Sequence, residues 1–242
     1  MKFFTNIVKN GKNTRGLSFA LVALVTLTAC NRGQSQTDMA TTVVDNTGAW
    51  TLYRGQPRGS KVTIHGDSTF HKWTMDGTMI GGSFKVPAGV VIDSSKDAIA
   101  GMTGDKLEAT ASATIFVRTI HSGHDIMDGL YKEALKESQY PKIEYTLTEM
   151  TLKPGHVAGQ PFEFDTKGQL SFTGTTNAVS FPVQVNTTNN LMITGSYAFK
   201  MTTFGVTPPA PKILGIGGLK VADDVTITFE WALAPAAAPA AR

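Results

Sequence analysis

With 242 residues, 41% of them hydrophobic and only 17% charged, the chain can bury one sizeable core and carries too little charge for a disordered protein. Its formal net charge of +3 is misleading: Lys2, Lys9, Lys12 and Arg15 lie ahead of an apolar run, and from Cys30 onward 18 basic residues face 19 acidic ones. A near-neutral body with no basic patch interleaved with aromatics argues against nucleic acid as a partner.

Along the chain, the basic start and the 13-residue apolar run at 17–29 have the layout of a secretory signal. The run is too short for a spanning helix, which needs about 20 residues. The single cysteine, Cys30, ends the tetrapeptide LTAC. With Leu27, Thr28 and Ala29 before it, it resembles a bacterial lipobox, in which the cysteine is lipidated and becomes the new N-terminus; an ordinary signal peptide with a chance cysteine is the alternative. A lone cysteine can complete neither an internal disulfide nor a thiol redox pair. Residues 1–29 are therefore read as a lipoprotein signal peptide and 30–48, polar and without apolar periodicity, as a lipidated cysteine and flexible tether. The expected location is the bacterial cell envelope, lipid-anchored through acylated Cys30, with Asn31 favouring the outer membrane facing the periplasm.

From 49 to 234 the dominant signal has period two, which marks strands with one buried face. Strands are expected at 50–54, 61–70, 107–117, 143–152, 162–174, 179–185, 191–201 and 225–233. A weaker one is expected at 77–86, where Gly81 and Gly82 indicate a bulge or sharp bend. About eight antiparallel strands around one core favour closure, as a barrel or a sandwich, over an open sheet with unprotected edges. The low-complexity stretch PAAAPAAR at 235–242 is expected to be a disordered tail.

One interval departs from this pattern. In SGHDIMDGLYKEALKESQYP, Ile126, Met127, Leu130, Tyr131, Ala134 and Leu135 recur at three-to-four spacing, which predicts an amphipathic helix around 124–138. Ser122 with Asp125 resembles a capping arrangement, and Pro141 stops the helix. Its apolar stripe serves either to pack on the barrel or to cover a cavity.

Chemistry-bearing groups are few. Of His65, His71, His121, His124 and His156 only His121 and His124 are close in sequence, short of the ligand spacing a zinc site needs. No GxSxG elbow or HExxH helix is present, and no cofactor motif. His124 next to Asp125 could serve as an acid/base pair, although a solvent-exposed cap is the plainer role. The abundant Phe and Met fit a core, and a barrel of this size can also enclose an apolar ligand.

Four segments in order resemble the YceI family: STFHKWT at 68–74; SGHDIMDGLYKEALKESQYPKIEY from 122; GQLSFTGTTNAVSFPVQV at 168–185; and MTTFGVTPP with the later DDVTITFEW. The resemblance covers about residues 49–233. It implies an extended, lipocalin-like antiparallel β-barrel with one helix beside or over it, and an elongated cavity for a long-chain amphiphilic lipid, a polyisoprenoid or an isoprenoid quinone included. Lys72 stands where many members have Asp, so a lysine near the mouth could favour an anionic head group. Expected ligand-binding residues are His71, Trp73, Phe116, Tyr145, Phe172, Phe199 and Phe204 on strands and turns. Met127, Leu130 and Tyr131 are expected to join them from the helix. His71 is expected to hydrogen-bond at the cavity wall with Trp73 packed nearby. Neither a catalytic group nor a metal is expected, and a homodimer is compatible with the sequence. A structural lipoprotein with a filled barrel, or a hydrolase acting on a lipid or amide, are the alternatives.

Overall fold

The alternating segments join into one antiparallel sheet of eleven strands. The structure, a computed structural model, describes residues 50–188, 190–210 and 218–236; the signal, Cys30, the tether and the tail past Ala236 lie outside the described residues. The strands are β1 (Trp50–Gly55), β2 (Lys61–Ser68), β3 (Lys72–Gly77), β4 (Gly81–Pro87), β5 (Thr110–Phe116), β6 (Ile120–His121), β7 (Lys142–Leu152), β8 (Phe162–Phe172), β9 (Thr175–Asn186), β10 (Leu191–Lys200) and β11 (Val221–Pro235). One helix, α1 (Asp125–Ala134), stands between β6 and β7.

Strands β1-β4-β5-β7-β8-β9-β10-β11 follow one another around a ring, and β11 pairs back onto β1 to close it. The choice between barrel and sandwich thus falls to an eight-stranded barrel. Strands β2, β3 and β6 extend the wall on one side: β2 pairs with β11 between Val221 and Glu230, and β1 takes over between Leu233 and Pro235. Inward residues alternate along the strands, with register slips on β7 between Leu147 and Glu149 and on β11 between Val221 and Val225. Along β8, Phe162, Phe164, Thr166, Leu170 and Phe172 are buried while Glu163, Asp165, Lys167 and Gln169 face solvent.

The handover on β11 is made by a side chain. Opposite Trp231 and Ala232 neither β1 nor β2 supplies a partner strand, and Ser60, itself buried, fills in. Its Oγ accepts from the Ala232 amide at 3.1 Å and donates to the Gln56 carbonyl at 2.7 Å, and Gln56 N–H donates to Ala232 O at 2.8 Å. A buried amide is thereby kept paired where the ladder breaks.

The barrel ends differ. Trp50, Pro87 and Pro235 meet at the closed end, which Phe162, Phe164, Val185 and Leu233 fill completely. The other end carries the β2–β3 turn and α1 and stays open. Two strands escaped the sequence reading. β3 is short and ends in Asp76-Gly77, a dipeptide common in turns, and the two residues of β6 are too few for any period. The expected bulge at Gly81–Gly82 is absent, since the β4–β5 register is continuous. Instead Gly82 sits at φ 114°, with Ser112 O only 1.9 Å from where a Cβ would be, so the glycine permits close strand approach. β11 runs through Pro235, past the expected start of the tail, and Ala236 N–H donates to Leu52 O.

Helix α1 is shorter than the expected 124–138. Lys136 adopts φ 51°, its amide donates to Glu133 O, and the Glu137 amide donates to Lys132 O. That is a Schellman closure, which reverses the chain before Pro141 is reached. Replacing Ser60 with Ala is expected to destabilise the domain by about 1–3 kcal/mol, the cost of a buried amide left unpaired. Denaturant unfolding checks this: the midpoint should fall while the slope stays constant.

Candidate functional site

Because α1 spans the open end without filling it, a cavity of about 700 Å³ remains beneath. Its walls come from β2 and β3 (Ile64, Trp73, Met75), from α1 (Met127, Leu130, Tyr131), and from Phe172, Phe199 and Val225 across the barrel. A second, smaller chamber of about 120 Å³ lies in the barrel below, where Ala111 and Ala113 of β5 leave room that larger side chains would fill. Ile143 and Ile227 belong to both walls, so the two chambers adjoin. Among the described residues no Asp, Glu, Lys or Arg lines either chamber; Ser68, His71 and His124 stand at the rim of the larger one, and the Tyr131 phenol lies in its wall. The larger volume falls in the range of cavities that bury a small-molecule ligand.

One row of rings connects the chambers. Tyr145 and Phe181 have centroids 5.4 Å apart, as do Phe181 and Tyr197, and Tyr197 stacks on Phe199 at the same distance. Phe199 then meets Phe172 edge-on at 5.9 Å. Such contacts fix ring orientation in addition to burying area, giving the wall a rigid side. Opposite them, the Trp73 indole lies flat over Gly66, within 2.1 Å of where a Cβ would project, and its Nε1 donates to Asp67 O at 3.2 Å. Gly66 thus sets how far Trp73 stands from the strand.

The structure brings together His71, Trp73, Met127, Leu130, Tyr131, Phe172 and Phe199 around the larger chamber, and puts Tyr145 on the smaller. Two expected residues are elsewhere. Phe116 follows inward Ile115 on β5, so parity turns it outward, where Arg118 and Lys142 lie over its ring at 4.7 and 5.8 Å. Phe204 is fully buried behind the wall, stacked on Phe172 at 4.2 Å. The expectation for His71 also changes. Its backbone, not its ring, is bonded: Ser68 N–H and Oγ–H both donate to His71 O, at 3.1 and 2.8 Å, and the imidazole has no bonding partner among the described residues. Lys72 points to the outer face beside Asp67 and Lys200, away from the cavity. Residues the sequence reading missed, Ile143, Phe181, Tyr197 and Ile227, were recoverable from inward parity once strand ends were known. Among the described residues no three of His, Cys, Asp and Glu gather into a metal-sized cluster, and no helix is long and apolar enough to cross a membrane.

The model of the YceI-like domain matches residues 53–233. The chain belongs to the YceI family. Comparison with curated protein sequences gave no match. Among solved structures, BcnA of Burkholderia cenocepacia is similar with a TM-score of 0.55 at 19% identity, over 74% of this chain and 99% of that one. A polyisoprenoid binding domain from Saccharophagus degradans, implicated in plant cell wall breakdown, gives 0.50 at 12% identity, over 78% and 99%. At such identities the likeness is one of fold.

In this YceI domain the helix over the cavity is held by one carboxylate. Asp128, the only buried residue of α1, accepts at Oδ1 from the Ser122 amide and hydroxyl, each at 2.6 Å, while His121 Nδ1 lies 3.1 Å from Oδ2. This replaces the expected Ser122–Asp125 cap: the N-cap is His124, with no side-chain cap bond. Burial pushes the Asp128 carboxyl up, but the Ser122 hydroxyl and amide and the His121 ring together outweigh it and hold the group below the usual carboxylate range. The apolar stripe of α1 covers a cavity instead of filling one, with Ile126 mostly in solvent and Leu130 and Tyr131 only partly buried.

Two phenols are unusual. The hydroxyls of Tyr131 and Tyr145 are buried and meet no partner of hydrogen-bonding geometry, and burial pushes both phenols above their ordinary value. Thr166 offsets this slightly for Tyr145, but the Thr166 hydroxyl is itself donated to Phe181 O at 2.6 Å.

Two outcomes follow for this YceI domain. Gly66→Ala is expected to drive Trp73 off its strand and destabilise by about 1–3 kcal/mol, visible as a lowered Tm and altered tryptophan emission. Asp128→Ala is expected to cost about 1–3 kcal/mol, with a buried amide left unpaired. The wild-type carboxyl titrates near 3.9 unfolded and lower when folded, so its stabilisation is complete above about pH 4 and lost as pH falls through the folded value. Unfolding measured from neutral to acid pH should show a wild-type decline below about pH 4 that is smaller in the variant.

Proposed function

We propose that this protein is an exported, lipid-anchored protein of the bacterial envelope whose barrel stores or carries a long-chain isoprenoid or similar amphiphile, an isoprenoid quinone included. In this reading residues 1–29 are removed, Cys30 is acylated, and the domain faces the periplasm from the outer membrane. The observation that carries the binding role is the pair of adjoining chambers whose described walls hold no charged side chain. Each buried methylene contributes about 0.8 kcal/mol. About ten of them supply about 8 kcal/mol before the cost of association and of ordering the chain, so only longer apolar chains leave a large surplus. The name of the Saccharophagus degradans relative, a polyisoprenoid binding domain, agrees with this role.

A neutral polar end suits the chambers better than an anion, because a buried charge without a partner is strongly disfavoured and Lys72 faces outward. A filled, purely structural barrel fits poorly with 700 Å³ of open cavity. For a hydrolase, the described walls offer no hydrogen-bonded pair of nucleophile and base side chains.

Native mass spectrometry of the domain purified from an envelope extract is the direct test, with a stoichiometric long-chain molecule as the expected result. A protein that is empty and takes up neither added polyprenol nor quinone would remove the reading. Ile227→Trp, at the junction of the chambers, is expected to shorten the longest chain accepted and to weaken long-chain binding at least about tenfold, while short amphiphiles still bind. A titration with a prenol series checks this.

A further inference from the structure

Five large apolar side chains remain largely in water among the described residues, and the two most exposed, Ile126 at 83% and Phe70 at 69%, flank the cavity opening. Ile126 is itself on the cavity rim, and Phe70 lies between Ser68 and His71, which both line it. Neither exposure comes from a loose segment. The β2–β3 turn is closed by the Ser68 bonds to His71 O and tied to Lys220, whose carbonyl accepts from the Thr69 amide at 3.0 Å and whose amide donates to Thr69 Oγ1 at 3.1 Å. Ile126 is in the first turn of α1, the turn that Asp128 clamps to Ser122. Two separately braced elements thus hold apolar side chains out into solvent at one apolar opening.

We propose that this rim is a bilayer-docking surface: Phe70 and Ile126 insert into the interfacial region of a membrane, so that a long-chain molecule passes between bilayer and cavity without crossing water. This rests on the cavity being a lipid site. A lipid surface is the occupant that covers both side chains and at the same time presents the chemistry the chambers accept; a protein seated on the rim would stopper the opening. Apolar side chains buried at the headgroup boundary bind in proportion to the area they bury. Asp125 and Lys220 bring opposite charges near the rim, and among the described residues none lines the cavity itself, so the contact is expected to respond weakly to salt.

The test uses residues 49–242, which hold the complete barrel; the Burkholderia cenocepacia structure, covered over 99% of its length, is a domain of this kind standing by itself. Vesicles of phosphatidylethanolamine and phosphatidylglycerol, with and without an isoprenoid quinone, are sedimented with wild type and with Phe70→Ser/Ile126→Ser, two surface changes outside the core. Expected is vesicle binding by the wild type, weakened about tenfold or more in the double variant, and slower quinone uptake from vesicles. Quinone supplied from detergent should fill wild type and the single variant Phe70→Ser, whose side chain is outside the cavity lining, to the same extent. In a complementary form, Phe70→Trp should shift its emission to the blue with vesicles and be quenched by brominated lipid. Absence of vesicle binding by the wild type, or equal binding and equal uptake by the double variant, overturns the docking surface. Failure to take up quinone from detergent overturns the carrier reading instead, and docking is then judged by sedimentation and quenching alone.

Discussion

Everything in this molecule hangs on how one strand divides its free edge. β11 is fifteen residues long, gives one side to β10, and on the other serves first β2 and then β1. Where β1 holds it, the sheet curls into a closed, filled barrel. Where β2 holds it, the wall continues through β3 to the short β6, leaving an opening that strands do not close. Backbone groups near the handover have to be satisfied within the protein, and Ser60 does this with a single hydroxyl. A closed end and an open end therefore come from one pairing pattern.

The open end follows a different logic from the rest. The barrel is stabilised by inward alternation on every strand, with each buried side chain contributing about 1.5–3 kcal/mol. Helix α1 contributes little of that kind, since Asp128 is its only buried residue. It is positioned by a polar clamp at its start and by Met127, Tyr131 and Ala134, which pack partly buried against the core while also facing the cavity. An element with so little buried surface lies toward the low-stability end of a structure, where ligand-gating segments are generally found.

Much of this was legible in the sequence because period-two alternation is the direct imprint of a sheet with one dry face. It gave the barrel strands and, through inward parity, Phe172 and Phe199, whereas Trp73, on the missed β3, came from the resemblance of STFHKWT to the family. Parity also explains Phe116, which follows Ile115 and therefore had to point outward; residue type was allowed to override position. Phe204 failed for another reason, since it sits in a short turn, Met201–Phe204, with no strand parity. The Asp128 clamp was hidden because capping patterns look three residues ahead, whereas here the acceptor lies six residues beyond Ser122 and works from inside the helix. The end of α1 was equally hidden, as Lys136 has no obvious reason to adopt a left-handed conformation that glycine usually takes.

The phenols of Tyr131 and Tyr145 bear on how the domain answers an occupant. Both are buried in chamber walls, and an occupant whose oxygen reaches either adds a hydrogen bond of about 0.5–1.5 kcal/mol to ordinary mass action. Thermal resistance thereby becomes a reading of how full the barrel is.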